Sequence, residues 1–185
     1  MKTKSISRKK NFIDVLMKTS RFPEFRFRRQ FTEFIISQFI AEAATKCLEV
    51  KSKYNIAGKP LTPKKAVEVC FAEGLYIDVE AENNHGREDS WFGKTEDGKF
   101  CLWINPALSL NDGQDLMICG LATFLLNEKL DLYFRDDKSY STLEELCENP
   151  QLLKATMTAE VLTAMLLASE TEAELVAFQS VVKQG

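Results

Sequence analysis

The hydrophobic period of the chain changes from helical to extended at Gly74, and this switch confines β structure to a short stretch in its middle. Ahead of it, Thr62 followed by Pro63 offers an N-cap and a favoured first helical residue. Ala66, Val67, Cys70 and Phe71 form an apolar stripe, and Gly74 is placed to end the helix. The spacing predicts a helix over 63–73. Directly after it, Leu75, Ile77 and Val79 alternate with Tyr76 and Asp78, the pattern of a half-buried strand. Two more extended runs, 91–95 and 100–104, flank the turn at Asp97 and Gly98, a hairpin signal. One antiparallel sheet of three strands is expected.

Helical spacing governs both sides of that sheet. Phe31, Phe34, Ile35, Phe39, Ala43, Cys47 and Leu48 step by three and four, predicting one amphipathic helix of some five turns from Phe31 to about Lys53. Asn111 or Asp112 is expected to cap a helix through Leu126 with Leu116, Met117, Gly120, Leu121, Phe124 and Leu125 inside. Ser141 with Glu144 reads as the capping box of a short helix, Asn149 and Pro150 open a long one, and Ser169 with Glu172 restart it after a bend. The order is helices, a small sheet, then helices. The fold class expected is α+β, with helices flanking a small, mainly antiparallel sheet.

No apolar run approaches the roughly 18 residues that span a bilayer. The opening residues Met1 to Lys4 lead into further basic residues, not the apolar core of an export signal. Cys47, Cys70, Cys101, Cys119 and Cys147 form no CxxC pair, as expected of reduced, mostly buried thiols. The chain is therefore read as cytoplasmic, with no membrane partner.

A net charge of −3 hides a division. Residues 1–30 hold ten Lys and Arg against two acids, and residues 31–185 hold fourteen against twenty-five. A basic N-terminal arm over 1–30 thus precedes a single acidic domain over 31–185. In the arm, Lys4 to Lys10 show no periodicity and read as disordered, and Phe12, Ile13, Leu16 and Met17 predict a short helix stopped before Pro23. Residues 22–29 then alternate aromatic and basic side chains. Two readings of this stretch stand side by side. Its rings stack on bases while Lys9, Lys10, Arg26, Arg28 and Arg29 neutralise phosphates, or its phenylalanines pin the arm to the core while the arginines stay in water.

Familiar catalytic signatures are absent: there is no GxxxxGK[ST], no GxGxxG after a strand and no GxSxG. Cys119 as a nucleophile would need His85 folded over its helix. The loop with Glu82, Glu88 and Asp89 lacks the spaced ligands and glycine of a calcium loop.

Four segments carry a resemblance. Residues 66–79 (AVEVCFAEGLYIDV) give a helix and a glycine-led strand, 100–106 (FCLWINP) a strand ending in Ile104 and Asn105, 116–126 (LMICGLATFLL) a helix after it, and 158–167 (TAEVLTAMLL) a later helix. In this order they resemble the ImmA/IrrE family of zinc-peptidase-like domains over about residues 60–168. The resemblance implies a zincin-like fold in which the helix at 116–126 would carry the metal-binding His-Glu-x-x-His motif. The two histidine positions hold Cys119 and Thr123, the base position Gly120 and the third-ligand position Thr158. Catalytic zinc needs three His or carboxylate donors and a carboxylate near its water, and His85, the only histidine, lies in a polar loop.

The expectation is therefore a pseudoenzyme, a degenerate domain with no metal and no cofactor. It would act as a regulatory or inhibitory protein by binding a protein partner, in a phage or mobile-element setting. The alternative is a nucleic-acid-binding regulator that uses the basic arm. In the degenerate cleft, Cys119 and Thr123 should both be largely buried and their helix should pack against the helix near Thr158, with side chains such as Phe124 or Trp103 able to close over the gap.

Overall fold

A computed structural model of the 185-residue chain describes residues 11–26, 29–80, 90–126 and 143–179. The fold is α+β. In chain order, α1 (Phe12–Thr19), a 3-10 turn (Pro23–Arg26), α2 (Arg29–Ile36), α3 (Ile40–Lys53) and α4 (Pro63–Glu73) lead into β1 (Leu75–Asp78), β2 (Ser90–Lys94) and β3 (Phe100–Ile104). Then follow α5 (Leu110–Leu125), α6 (Leu143–Cys147), α7 (Pro150–Leu167) and α8 (Glu172–Gln179). Among the described residues no helix is long and apolar enough to cross a membrane.

Helix α7 is the centre of the molecule. Asn149 caps it by accepting from the Leu152 N–H, Pro150 takes its first turn, and every residue from Thr156 to Leu166 is buried. A helix buried on all sides needs neighbours all round. Here α1, α3, α5 and α6 pack against it.

The sheet is mixed, which corrects the expectation that all three strands pair antiparallel. Its order is β1-β3-β2, with β1 parallel to β3 (Leu75 opposite Phe100) and β2 antiparallel to it (Phe92 opposite Leu102). β3 is the most apolar of the three strands, four of its five residues are buried, and it takes the centre where both of its edges are paired. The 95–99 turn closes the hairpin, with Gly98 at φ +79° in the left-handed region a glycine adopts without strain.

The long helix expected over 31–53 is two helices, broken at 37–39. The Ser37 hydroxyl donates to Phe34 O (2.6 Å), competing with the helical ladder at the break. Phe34, expected inside, is 68 % exposed as a result of the changed course of the chain. Two caps also differ from expectation. Ser109 caps α5, its hydroxyl accepting from Asp112 N and donating to the Asp112 carboxylate. Thr171 with Glu174, two residues later than Ser169 with Glu172, starts α8. Ser141 lies outside the described residues, and the first N–H of α6, on Leu143, is met instead by Glu24 Oε1 at 3.1 Å.

That bond belongs to a larger pattern: the N-terminal segment is built into the common core. Phe12, Leu16, Phe22 and Phe25 are fully buried in the same cluster as the α7 side chains. Arg21 pairs with the buried Glu160 of α7 at 3.3 Å and lies over the Phe22 ring. Removing a buried aromatic ring costs about 3–5 kcal/mol. Phe25→Ala should therefore lower the unfolding free energy by about that amount in urea titration, where a side chain on a detachable tail would change it by less than about 0.5 kcal/mol.

Candidate functional site

The cleft positions lie where α5 crosses β3. Along α5, Gly113 faces Ile104, Gly120 faces Leu102, and the Phe124 ring meets Phe100 edge-on at 5.4 Å. Helix and strand thus run past one another with side chains at 100, 102 and 104 turned to the helix. Residues alternate along a strand, so Cys101 and Trp103 point to the opposite face. Trp103 donates its indole N–H to Glu80 O at 2.6 Å there. It cannot close over the α5 side, contrary to expectation, and Phe124 is engaged with Phe100.

The side chain that fills the gap is Leu102. A Cβ built on Gly120 would collide with its terminal methyl groups. Position 120, which the resemblance would give to the catalytic base, is therefore closed by a side chain of β3, and its glycine is the condition for helix and strand to approach this closely. Thr123 is 5 % exposed and Thr158 is 2 % exposed, and each hydroxyl donates to the carbonyl four residues back on its own helix, Thr123 to Cys119 O and Thr158 to Lys154 O. Helices α5 and α7 pack together, so Gly120, Thr123 and Thr158 lie on adjoining helices. Cys119 is half-buried, not largely buried as expected: it sits toward the edge of α5, away from the stripe that meets β3.

What this arrangement can do chemically is limited. Its side chains are a thiol, a hydrogen and two hydroxyls already bonded to their own helices. Among the described residues no group of three or more His, Cys, Asp or Glu is placed to hold a metal ion. His85, Glu82, Glu88 and Asp89 lie outside the described residues. Three other thiols are held protonated: burial pushes Cys47 and Cys70 up to about 12, and burial with Asp78 nearby pushes Cys101 up to about 11.

The basic candidates divide. Lys9, Lys10 and Arg28 lie outside the described residues. Arg26 is exposed at the end of the 3-10 turn. Arg29 is held by Asp14 (2.6 Å) and Glu33 (2.9 Å), and its pKa is raised by those hydrogen bonds. Phe22 and Phe25 are fully buried, so neither ring presents a face to a base.

Sequence reasoning missed one group altogether. Cys47 and Lys51 of α3 and Glu170 of the α7–α8 joint are buried together. The available signal was Lys51 itself, one turn after Cys47 on the apolar stripe of its helix.

Compared with family models, with curated proteins and with solved structures, the chain matches none.

The contact between Gly120 and Leu102 gives a direct test. Gly120→Ala should destabilise the protein by about 1–3 kcal/mol through overpacking, and in combination with Leu102→Val the loss should be smaller than the two single losses added together. Strict additivity in denaturant titration would place the two side chains out of contact.

Proposed function

We propose that this protein is a non-catalytic regulator that acts by binding another protein, through a domain of the ImmA/IrrE kind whose catalytic positions have been lost. The observation that supports this reading best is the filling of the Gly120 position by Leu102. A peptidase of that kind needs a carboxylate and an attacking water there, and this chain has an apolar side chain pressed against a glycine. Thr123 and Thr158 add to the case, since hydroxyls committed to their own helices are poor substitutes for imidazole or carboxylate donors. In this reading the protein is cytoplasmic, and its setting is repressor control in a phage or mobile element.

The alternative, a nucleic-acid-binding regulator using the basic N-terminal segment, has less support. The two described rings of the aromatic–basic stretch are core, and Arg29 is engaged by two carboxylates. Arg26 remains exposed for such a contact, with Lys9, Lys10 and Arg28 outside the described residues.

Two measurements on the full chain separate these readings from each other and from a peptidase. Zinc titration followed by metal analysis should give no stoichiometric metal, and added zinc should elicit no proteolysis; one bound zinc with metal-dependent cleavage would overturn the proposal. Binding to duplex DNA should be weak and unchanged when Lys9, Lys10, Arg26 and Arg28 are replaced by Gln. An affinity that falls by about a thousandfold or more between 50 and 200 mM salt, and is lost in that variant, would favour the alternative.

A further inference from the structure

Three ionisable side chains meet where α1, α3 and the joint between α7 and α8 converge, and the function proposed above uses none of them. Cys47 and Lys51, one turn apart on α3, are fully buried, and Glu170 is 3 % exposed. Lys51 Nζ donates to Ala168 O at 2.9 Å, at the C-terminal end of α7. Glu170 Oε1 accepts the N–H of Phe12, the first residue of α1, at 2.6 Å. Glu170 Oε2 is buried without a hydrogen-bond partner. The Phe12 ring meets Phe178 of α8 edge-on at 5.2 Å beside this junction.

Such a cluster is a poor stabiliser when charged. Taking an ammonium and a carboxylate out of water costs more than an imperfect pairing returns, and here the two groups do not make a direct ion pair: each bonds to the backbone. Yet the carboxylate is placed at the N-terminus of α1, where it holds an amide that helix geometry leaves without a partner of its own. The bond is the polar link between α1 and the α7–α8 joint, across 158 residues of sequence.

We propose that Glu170, with Lys51 beside it, forms a proton-controlled clasp that sets how readily α1 comes away from the body of the protein. In the closed form both groups are dry; when α1 lifts, water reaches them. Burial holds the Glu170 carboxyl above the usual carboxylate range, outweighing the Phe12 N–H and Lys51, while Glu174 adds to the rise. Burial also holds Lys51 below the usual lysine range, outweighing the pull of Cys47 and Glu170. Cys47, pushed up to about 12 by the same burial, stays a thiol throughout. The ionisable groups around Glu170 are thus Lys51 and Cys47 from α3 and Glu174 from α8, and α1 presents its backbone N–H.

The signs follow from proton linkage. A raised carboxyl pKa means that the closed form binds the proton more tightly than the open form. The clasp is therefore firmest below the ordinary carboxylate range and weakens as pH rises to the raised value. A lowered lysine pKa means that the closed form gives up its proton more readily, so the clasp regains strength as pH climbs from the lowered value to the ordinary lysine range. Where Glu170 is ionised and Lys51 protonated, both groups are charged and dry, and α1 is held least firmly.

Amide hydrogen exchange on the full chain tests the clasp, with each rate divided by its intrinsic rate at the same pH, from about pH 4 to about pH 10. The protection of α1 relative to α7 should fall on the acid side by up to about tenfold per pH unit and recover on the alkaline side. Glu170→Gln, which keeps an acceptor for the Phe12 N–H, should abolish the fall; Lys51→Met should keep the fall and abolish the recovery. A ratio flat with pH in the native chain, equal protection of α1 and α7 at every pH, or an unchanged slope in Glu170→Gln would each overturn the proposal. Should Glu170→Gln fail to fold, the profile of the native chain decides alone.

Discussion

Everything in this molecule is arranged around the burial of α7. Eleven successive residues, Thr156 to Leu166, are shielded from water on every side of the helix. One face of a helix is covered by one neighbour, so this one requires a ring of them, and the chain supplies it from both ends: α1 and α3 from before the sheet, α5 and α6 from after it. The polar residues on α7 are accommodated in place. Thr158 and Thr163 bond back to their own helix, and Glu160 reaches Arg21. The sheet is a side layer whose central strand, β3, lies against α5 while Leu75 of β1 is buried in the common core.

Much of the local structure was legible because its signals are local. Thr62 and Pro63 start α4 and Gly74 ends it at φ +87°, Asn149 and Pro150 start α7, and the hairpin turns at Gly98, all as the spacing of those residues predicts. Each feature is decided within a few residues by capping or by a glycine's tolerance of the left-handed region. The break after Ile36 was hidden because the apolar spacing runs on unchanged while a serine hydroxyl interrupts the ladder. The parallel pairing of β1 with β3 was hidden because alternation fixes which face a residue takes and is silent on which strand lies beside which.

At the candidate cleft the sequence revealed small side chains at 119, 120, 123 and 158, and the structure adds what occupies the space they leave. No local pattern could name Leu102 as that occupant, since it belongs to another element and reaches Gly120 through tertiary packing. The alternating phenylalanines and arginines of residues 22–29 admit a stacking platform or an anchor, and the burial of Phe22 and Phe25 favours the anchor. Glu170 carries no sequence signal at all, because its burial depends on α1 arriving from the far end of the chain.

The partners of the N-terminal segment bear on how the chain comes into being. Phe12 waits for Glu170 across 158 residues, and Glu24 meets Leu143 across 119. During synthesis, which runs from the N-terminus at about 5–20 residues per second, α1 and the 3-10 turn emerge well before the residues they bond to. For most of that interval a strongly basic, phenylalanine-rich stretch has no docking surface, and closing loops of this length is entropically slow. The nascent chain thus carries in the open three rings, Phe12, Phe22 and Phe25, that the finished protein buries.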